Sequence, residues 1–278
     1  MKGALYIDDK DAYELYRLSV TCGSYAGLAC LPKLKNVPQN DWHERNGVDP
    51  DLSSPVIDAH EFTLDFHIVG DISLYYGFIT AISDGAYHLY SFSEISLTKR
   101  LRLVKCGNVK TIQQLHHFSL TFCDDNPMEG YEYEPAASIL QPLYDYAIDG
   151  KDLSEYGIRI LQGTYDSIVK MPDVKENLKV NLSSLNGQSY DGENVVYKSK
   201  SVNLNCLMRA GSIEEFWRNR NALLYDLIQP GARTLTVANL SKDIPFYYKS
   251  CRPQCFYPDE GKVWFEFVLT VEFFEGVI

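Results

Sequence analysis

The stretch YGIRILQGTYDSI at 156–168 has a faded double, YRLSVTCGSYAGL, at 16–28. Internal repetition constrains a chain more than any single motif, because a fold open to one copy must also be open to the other. Setting Tyr25 against Tyr165 gives an offset of 165 − 25 = 140. That offset carries Tyr16 onto Tyr156, Gly23 onto Gly163, Pro32 onto Pro172, Lys35 onto Lys175 and Asn46-Gly47 onto Asn186-Gly187. It continues through Asp51/Asp191, Val56/Val196 and Leu64/Leu204, ten identities between 16 and 68, where composition alone gives about three. Leu18/Ile158, Val20/Ile160 and Ser24/Thr164 add conservative pairs. The register then slips: Gly85-Ala86 meets Gly231-Ala232 and Leu89 meets Leu235 at 146, while Phe118, Leu120 and Thr121 meet Phe267, Leu269 and Thr270 at 149. The chain reads as two homologous units, 1–127 and 150–278, joined by a linker over 128–149.

Hydrophobic period gives each unit its elements. Phe62, Leu64, Phe66 and Ile68 alternate with Glu61, Thr63, Asp65 and His67, and Val202, Leu204, Cys206 and Met208 repeat the pattern, which marks strands with one buried face. In the second unit a helix follows: Ser212 and Glu215 have capping-box spacing, Pro230-Gly231 ends it, and Ile213, Phe216, Trp217, Leu223, Leu224, Leu227 and Ile228 fall on one face. The counterpart opens at Asp71 and closes at Asp84-Gly85, so the six-residue slip predicts a first helix shorter by between one and two turns. Leu235 and Val237, an aromatic segment around Phe246 to Tyr248, and a last strand alternating Val263, Phe265, Phe267, Leu269, Val271 and Phe273 complete the unit. The expected class is α+β and β-rich, each unit an antiparallel sheet or sandwich with one packed helix.

The chain's 278 residues, 45% of them apolar, suffice for two cores of ordinary size. A net charge of −11 with no gathered basic face argues against a polyphosphate-binding surface. Acidic residues interrupt the start before any signal-like run, and no segment reaches the roughly 18–20 apolar residues of a membrane span, so a soluble, non-exported chain without membrane insertion is expected. Seven irregularly spaced cysteines (22, 30, 106, 123, 206, 251, 255) favour reduced thiols over a disulfide framework.

No pattern nominates a catalytic, cofactor or metal site. Cys251-Arg-Pro-Gln-Cys255 is half of a zinc pattern, but its nearest complements, Cys106, His116, His117 and Cys123, belong to the other unit. Cys106 stands at the position equivalent to Cys251 (offset 145), which suits a small apolar residue in a shared strand position. Asp41, Trp42, His43 and Glu44 set acid beside imidazole with no nucleophile partner and read as a solvated loop. Ser24 and Thr164 lack the G-x-S-x-G elbow, and their recurrence in both units suits a fold-forming role, with Gly23 and Gly163 permitting a turn and Tyr25 and Tyr165 packing their rings. P-loop, G-x-G-x-x-G after a strand, H-E-x-x-H and calcium-loop patterns are absent. Twenty tyrosines and three tryptophans offer stacking platforms in principle; filling cores and subunit contacts is the commoner use.

The order of alternating strand, capped helix, PG turn, Leu-x-Val strand, tyrosine-rich strand and closing FEFVLTVEFFE or FSLTFCDDNP segment resembles the ring-forming domain of tailed-bacteriophage distal tail and baseplate hub proteins, within the wider tail-tube family. The resemblance covers 197–275 well and 57–127 less well, and the repeated opening phrase is similar to the segment such proteins place before the domain. It implies a non-enzymatic structural protein of a phage, prophage or contractile injection tail, an oligomeric ring or adaptor between tube and tip. Such domains close into a six-fold ring around a channel. Two units per chain then allow a trimer that mimics a hexamer, or a hexamer with two stacked rings. The implied partners are further copies and other tail proteins, with DNA only in transit, and the implied location is the virion tail after assembly in bacterial cytoplasm. The acidic balance fits a channel wall to which DNA does not stick. The alternative from another class is a carbohydrate-binding module with two β-rich lobes, which would stay monomeric and hold glycans on exposed aromatics.

Overall fold

Phe62, Leu64, Phe66 and Ile68 all point into the core from one ten-residue strand, and Val202, Leu204, Cys206 and Met208 do so from another; the period-two reading holds at both. A computed structural model of the chain describes residues 2–176, 179–190, 195–259 and 261–276. In chain order the first half comprises β1 (Leu5–Ile7), β2 (Lys10–Asp11), α1 (Ala12–Tyr16), β3 (Leu18–Val20), α2 (Ala26–Ala29), β4 (Gln39–Asn40), β5 (Asp49–Pro50), β6 (His60–Val69), α3 (Ile72–Ile82), β7 (His88–Phe92), β8 (Leu97–Cys106), β9 (Lys110–Ile112) and β10 (Leu115–Asp124). The second half comprises β11 (Tyr146–Ile148), β12 (Lys151–Asp152), β13 (Ile158–Ile160), α4 (Thr164–Val169), β14 (Lys179–Val180), β15 (Ser189–Tyr190), β16 (Lys200–Ala210), α5 (Ile213–Leu227), β17 (Arg233–Val237), β18 (Ile244–Asp259) and β19 (Lys262–Phe273).

These strands form two antiparallel sheets, so the molecule is a β-rich α+β protein. The first runs β2-β1-β7-β8-β10-β6-β3, with β9 beside β10, and the second runs β12-β11-β17-β18-β19-β16-β13. Numbered by order of appearance within each half, both read 2-1-5-6-7-4-3. The small features correspond too: β4–β5 and β14–β15 are two-stranded ribbons, and the isolated bridges Leu34↔Ile57 and Val174↔Tyr197 stand 140 residues apart. Each sheet ends in strands of two or three residues, which leaves little edge for stray pairing. β11 lies within 128–149, the stretch read as linker.

Register corrects one alignment. Tyr90 pairs with Ile7, and Leu235 pairs with Ile148, so Tyr90 and Phe92 occupy the places of Leu235 and Val237 at an offset of 145. A Gly-Ala pair recurs in the two preceding turns one residue out of step. In a strand one residue exchanges the faces, and only 145 turns the buried Tyr90 and Phe92 inward. The first helix is accordingly shorter by 15 − 11 = 4 residues, about one turn.

Each long helix covers its own sheet. Phe78 of α3 lies 6.3 Å from Phe66 and 6.1 Å from Phe118 between ring centres. Phe216 of α5 lies 4.8 Å from Phe256 and 5.7 Å from Phe265. The Ser212 hydroxyl accepts from Glu215 N at 3.2 Å, while the Glu215 carboxylate reaches one residue beyond the expected box to Gly211 N at 2.9 Å. The largest fully buried side chains are all Tyr or Phe, and one continuous apolar cluster joins both halves.

Candidate functional site

The duplicated phrase is a fastening. Ser24 Oγ accepts from Asp65 N at 2.6 Å, and Thr164 Oγ1 accepts from Asn205 N at 2.8 Å, 140 residues on. Thr21 N and Leu161 N donate to the carbonyls of the same Asp65 and Asn205. The short helix is therefore tied to the first long strand by a hydroxyl and a backbone bond in each half. Gly23 and Gly163 take left-handed φ of +82° and +88°, which permits the turn between them. Tyr25 packs its ring against Phe92, but Tyr165 is 39% exposed; the expectation of a packed ring fails there, where Val237 stands in the place of Phe92.

That asymmetry leads to the contact between the halves. The 41–47 turn at the tip of β4–β5 reaches the second half and wraps the ammonium of Lys175, which donates to Asp41 Oδ1 at 2.5 Å and to the carbonyls of Trp42, Arg45 and Gly47 at 2.8, 2.8 and 2.6 Å. Gly47 N donates to Tyr197 O, Tyr197 N to Asn46 Oδ1, and Val48 N to Phe274 O. At Gly47, φ +68°, a Cβ would stand 1.7 Å from Phe274 O, so only glycine allows this approach. Alongside, Leu34 N donates to Lys249 O, Tyr248 OH to Pro32 O, and Trp217 Nε1 to Ile95 O. Arg220, buried, donates to the carbonyls of Ala29 and Cys30, capping the C-terminal end of α2 across the interface.

The residues weighed for chemistry are spread apart. Cys251 lies against Cys30, whose thiol is held far above its usual pKa by a hydrogen bond with Cys251 and by burial; Cys255 lies beside Glu266. Burial and that bond keep the Cys30 thiol protonated and unreactive. Cys106 and Cys251 do share a strand position, pairing with Leu120 and Leu269, although Cys106 is exposed. His116 bonds Gly70 O and Thr111, and Cys123 bonds Asp125. Among the described residues no three His, Cys, Asp or Glu side chains gather. His43 and Glu44 are exposed, but Asp41 and the Trp42 carbonyl belong to the Lys175 wrap, so the loop read as solvated is half of an interface. An open cleft of about 760 Å³ runs between β6 and β18, past Ser24, His60, Asp65 and Cys251. There His60 bonds Gly27 O, with its pKa lowered to about 4 by burial and by Arg220, while Ser24 Oγ is already bonded to Asp65 N.

Arg220 and Lys175 carry no signature of an interface role in the sequence, where Lys175 stands only as one of the repeat identities. Position 220 is four after Phe216 and three before Leu223, so helical spacing did place an arginine on the apolar face. Asp191, one of the ten identities, lies outside the described residues. No helix among the described residues is long and apolar enough to cross a membrane.

No protein-family model and no curated protein matches the chain. Among solved structures it is similar to one titled "Crystal Structure of SPP1 Dit (gp 19.1) Protein, a Paradigm of Hub Adsorption Apparatus in Gram-positive Infecting Phages", at 11% identity and a TM-score of 0.36, over 96% of this chain and 97% of that one.

Proposed function

We propose that the chain is a non-enzymatic structural component of a phage, prophage or contractile injection tail, built from two homologous units (1–127 and 150–278, with 128–149 between them) and assembling into a ring or adaptor between tube and tip. One observation carries this reading: the contact between the halves is heterologous. The turn of the β4–β5 ribbon of the first half grips Lys175, Tyr197 and the residue after β19, Phe274, in a half whose sheet has the same strand order. A head-to-tail contact between like units leaves one donor and one acceptor surface open, and repeating it builds a ring where the rotation closes and a filament where it does not. A dimer of lobes joined face to face would have left neither.

No residue is assigned to catalysis, a cofactor or a metal. Partners are further copies and neighbouring tail proteins, and DNA passes through the channel without specific contact, repelled by acidic walls. The place of action is the virion tail, after assembly in the bacterial cytoplasm. Light scattering with negative-stain imaging tests the reading. It predicts annular particles of three chains in one ring or six chains in two stacked rings, and a particle of one chain's 31.7 kDa at every concentration contradicts it.

A further inference from the structure

Among the described residues, several parts of the docking surface that the first half uses have an uncovered counterpart in the second half. Ala29, Leu31 and Leu34 are buried against the second half, whereas the residues 140 positions later, Val169, Met171 and Val174, are 41%, 57% and 45% exposed. Gly47 is pressed onto Phe274 O; Gly187, with φ +80°, has nothing within 4 Å of an added Cβ. The tip itself is already shaped, since Leu185 N donates to Leu182 O as Arg45 N does to Trp42 O. The carbonyls that hold a lysine in one tip are thus held in the same turn in the other.

The first half offers the matching receiver. Lys35 N donates to Val56 O just as Lys175 N donates to Val196 O, so the two lysines stand on the same backbone frame. The Lys35 side chain is exposed and has no ion pair among the described residues. Tyr76, in the place of Trp217 at offset 141, is 62% exposed, and Val104, in the place of Lys249 at offset 145, is 42% exposed.

From this pairing of an unused donor with an unused receiver, and resting on the ring reading above, we infer that segment 169–174 and the β14–β15 ribbon of one chain dock on the first half of a second copy, with that copy's Lys35 held in the 182–187 turn. Two differences shape the contact. Asn181 replaces Asp41, so Lys35 meets carbonyl and amide oxygens without a carboxylate. Ile79 replaces Arg220 at offset 141, and the end of α4 is capped instead from within, by Lys200 donating to the carbonyls of Ile168 and Lys170. The contact between copies is therefore more apolar and less charged than the one within the chain, and weakly dependent on salt.

Photocrosslinking tests this directly. Leu185, 66% exposed at the tip, is replaced by benzoylphenylalanine in an equal mixture of 14N- and 15N-labelled full-length chains, and crosslinked peptides are sequenced by mass spectrometry. Mixed-label products joining position 185 to the segments around Lys35 or Ile57 are expected. In parallel, Lys35→Glu and Val174→Asp, both at exposed positions, should raise the concentration needed for assembly at least about tenfold with an unchanged subunit melting temperature, and Lys35→Arg should not. Rings that form without these crosslinks, or that ignore both variants, overturn this contact and leave the ring reading standing. A chain that stays monomeric at every concentration overturns both.

Discussion

Lys35 and Lys175 are one letter at one repeat position, yet one lies in water and the other holds four oxygens. Removing the second strands the carbonyls that folding has gathered, so Lys175→Met should cost about 3 kcal/mol in urea denaturation, while Lys35→Met should leave the single chain's midpoint unchanged. The paired hydroxyls make a second test: Ser24→Ala and Thr164→Ala each orphan a strand N–H and should each cost about 1–2 kcal/mol, with Thr164→Ser tolerated. His60 gives a pH dependence. Burial and Arg220 hold its pKa at about 4, below the ordinary 6.5, so the unfolded chain takes up a proton there more readily than the folded one. The resulting stability is complete above pH 6.5 and is lost as pH falls towards 4; denaturation of His60→Gln should show a flatter slope in that window. At this scale sequence was a poor guide. The repeat announced that positions 35 and 175 are equivalent, but equivalence of backbone does not say which copy has found a partner.

Elements with strong local signals were legible. The ten- and eleven-residue strands follow their period of two, and α5 is set by its Ser212 cap and apolar stripe. The short strands, and helices of four to six residues such as α2 and α4, were not, because they are too brief to carry a period and are held by tertiary bonds. The misplaced β7 register had a physical source as well: turn residues were aligned where only pairing across the sheet decides the face. For the β4–β5 ribbon, what matters is close approach. Gly47→Ala drives a Cβ into Phe274 O and should cost at least about 3 kcal/mol as the ribbon lifts, against about 1 kcal/mol of backbone strain for Gly187→Ala; thermal denaturation of the two variants compares them.

At the scale of the molecule, the 140-residue repeat is matched by two sheets of one strand order and by one contact used once and left open once. The repeat itself was legible; the contact was not, since it joins loops whose sequences, DWHERNG and NLSSLNG, have drifted apart. Because the apolar cluster is continuous across both halves, the single chain should unfold in one cooperative transition, and a second transition in calorimetry would contradict that. The most direct test of the tiling claim is a cryo-EM reconstruction of the purified assembly at side-chain resolution. With the inferred contact between copies, the account predicts a closed ring of three chains in which first and second halves alternate, every junction built from the same ribbon grip. Particles in which the second half's ribbon and Lys35 both face solvent would contradict it.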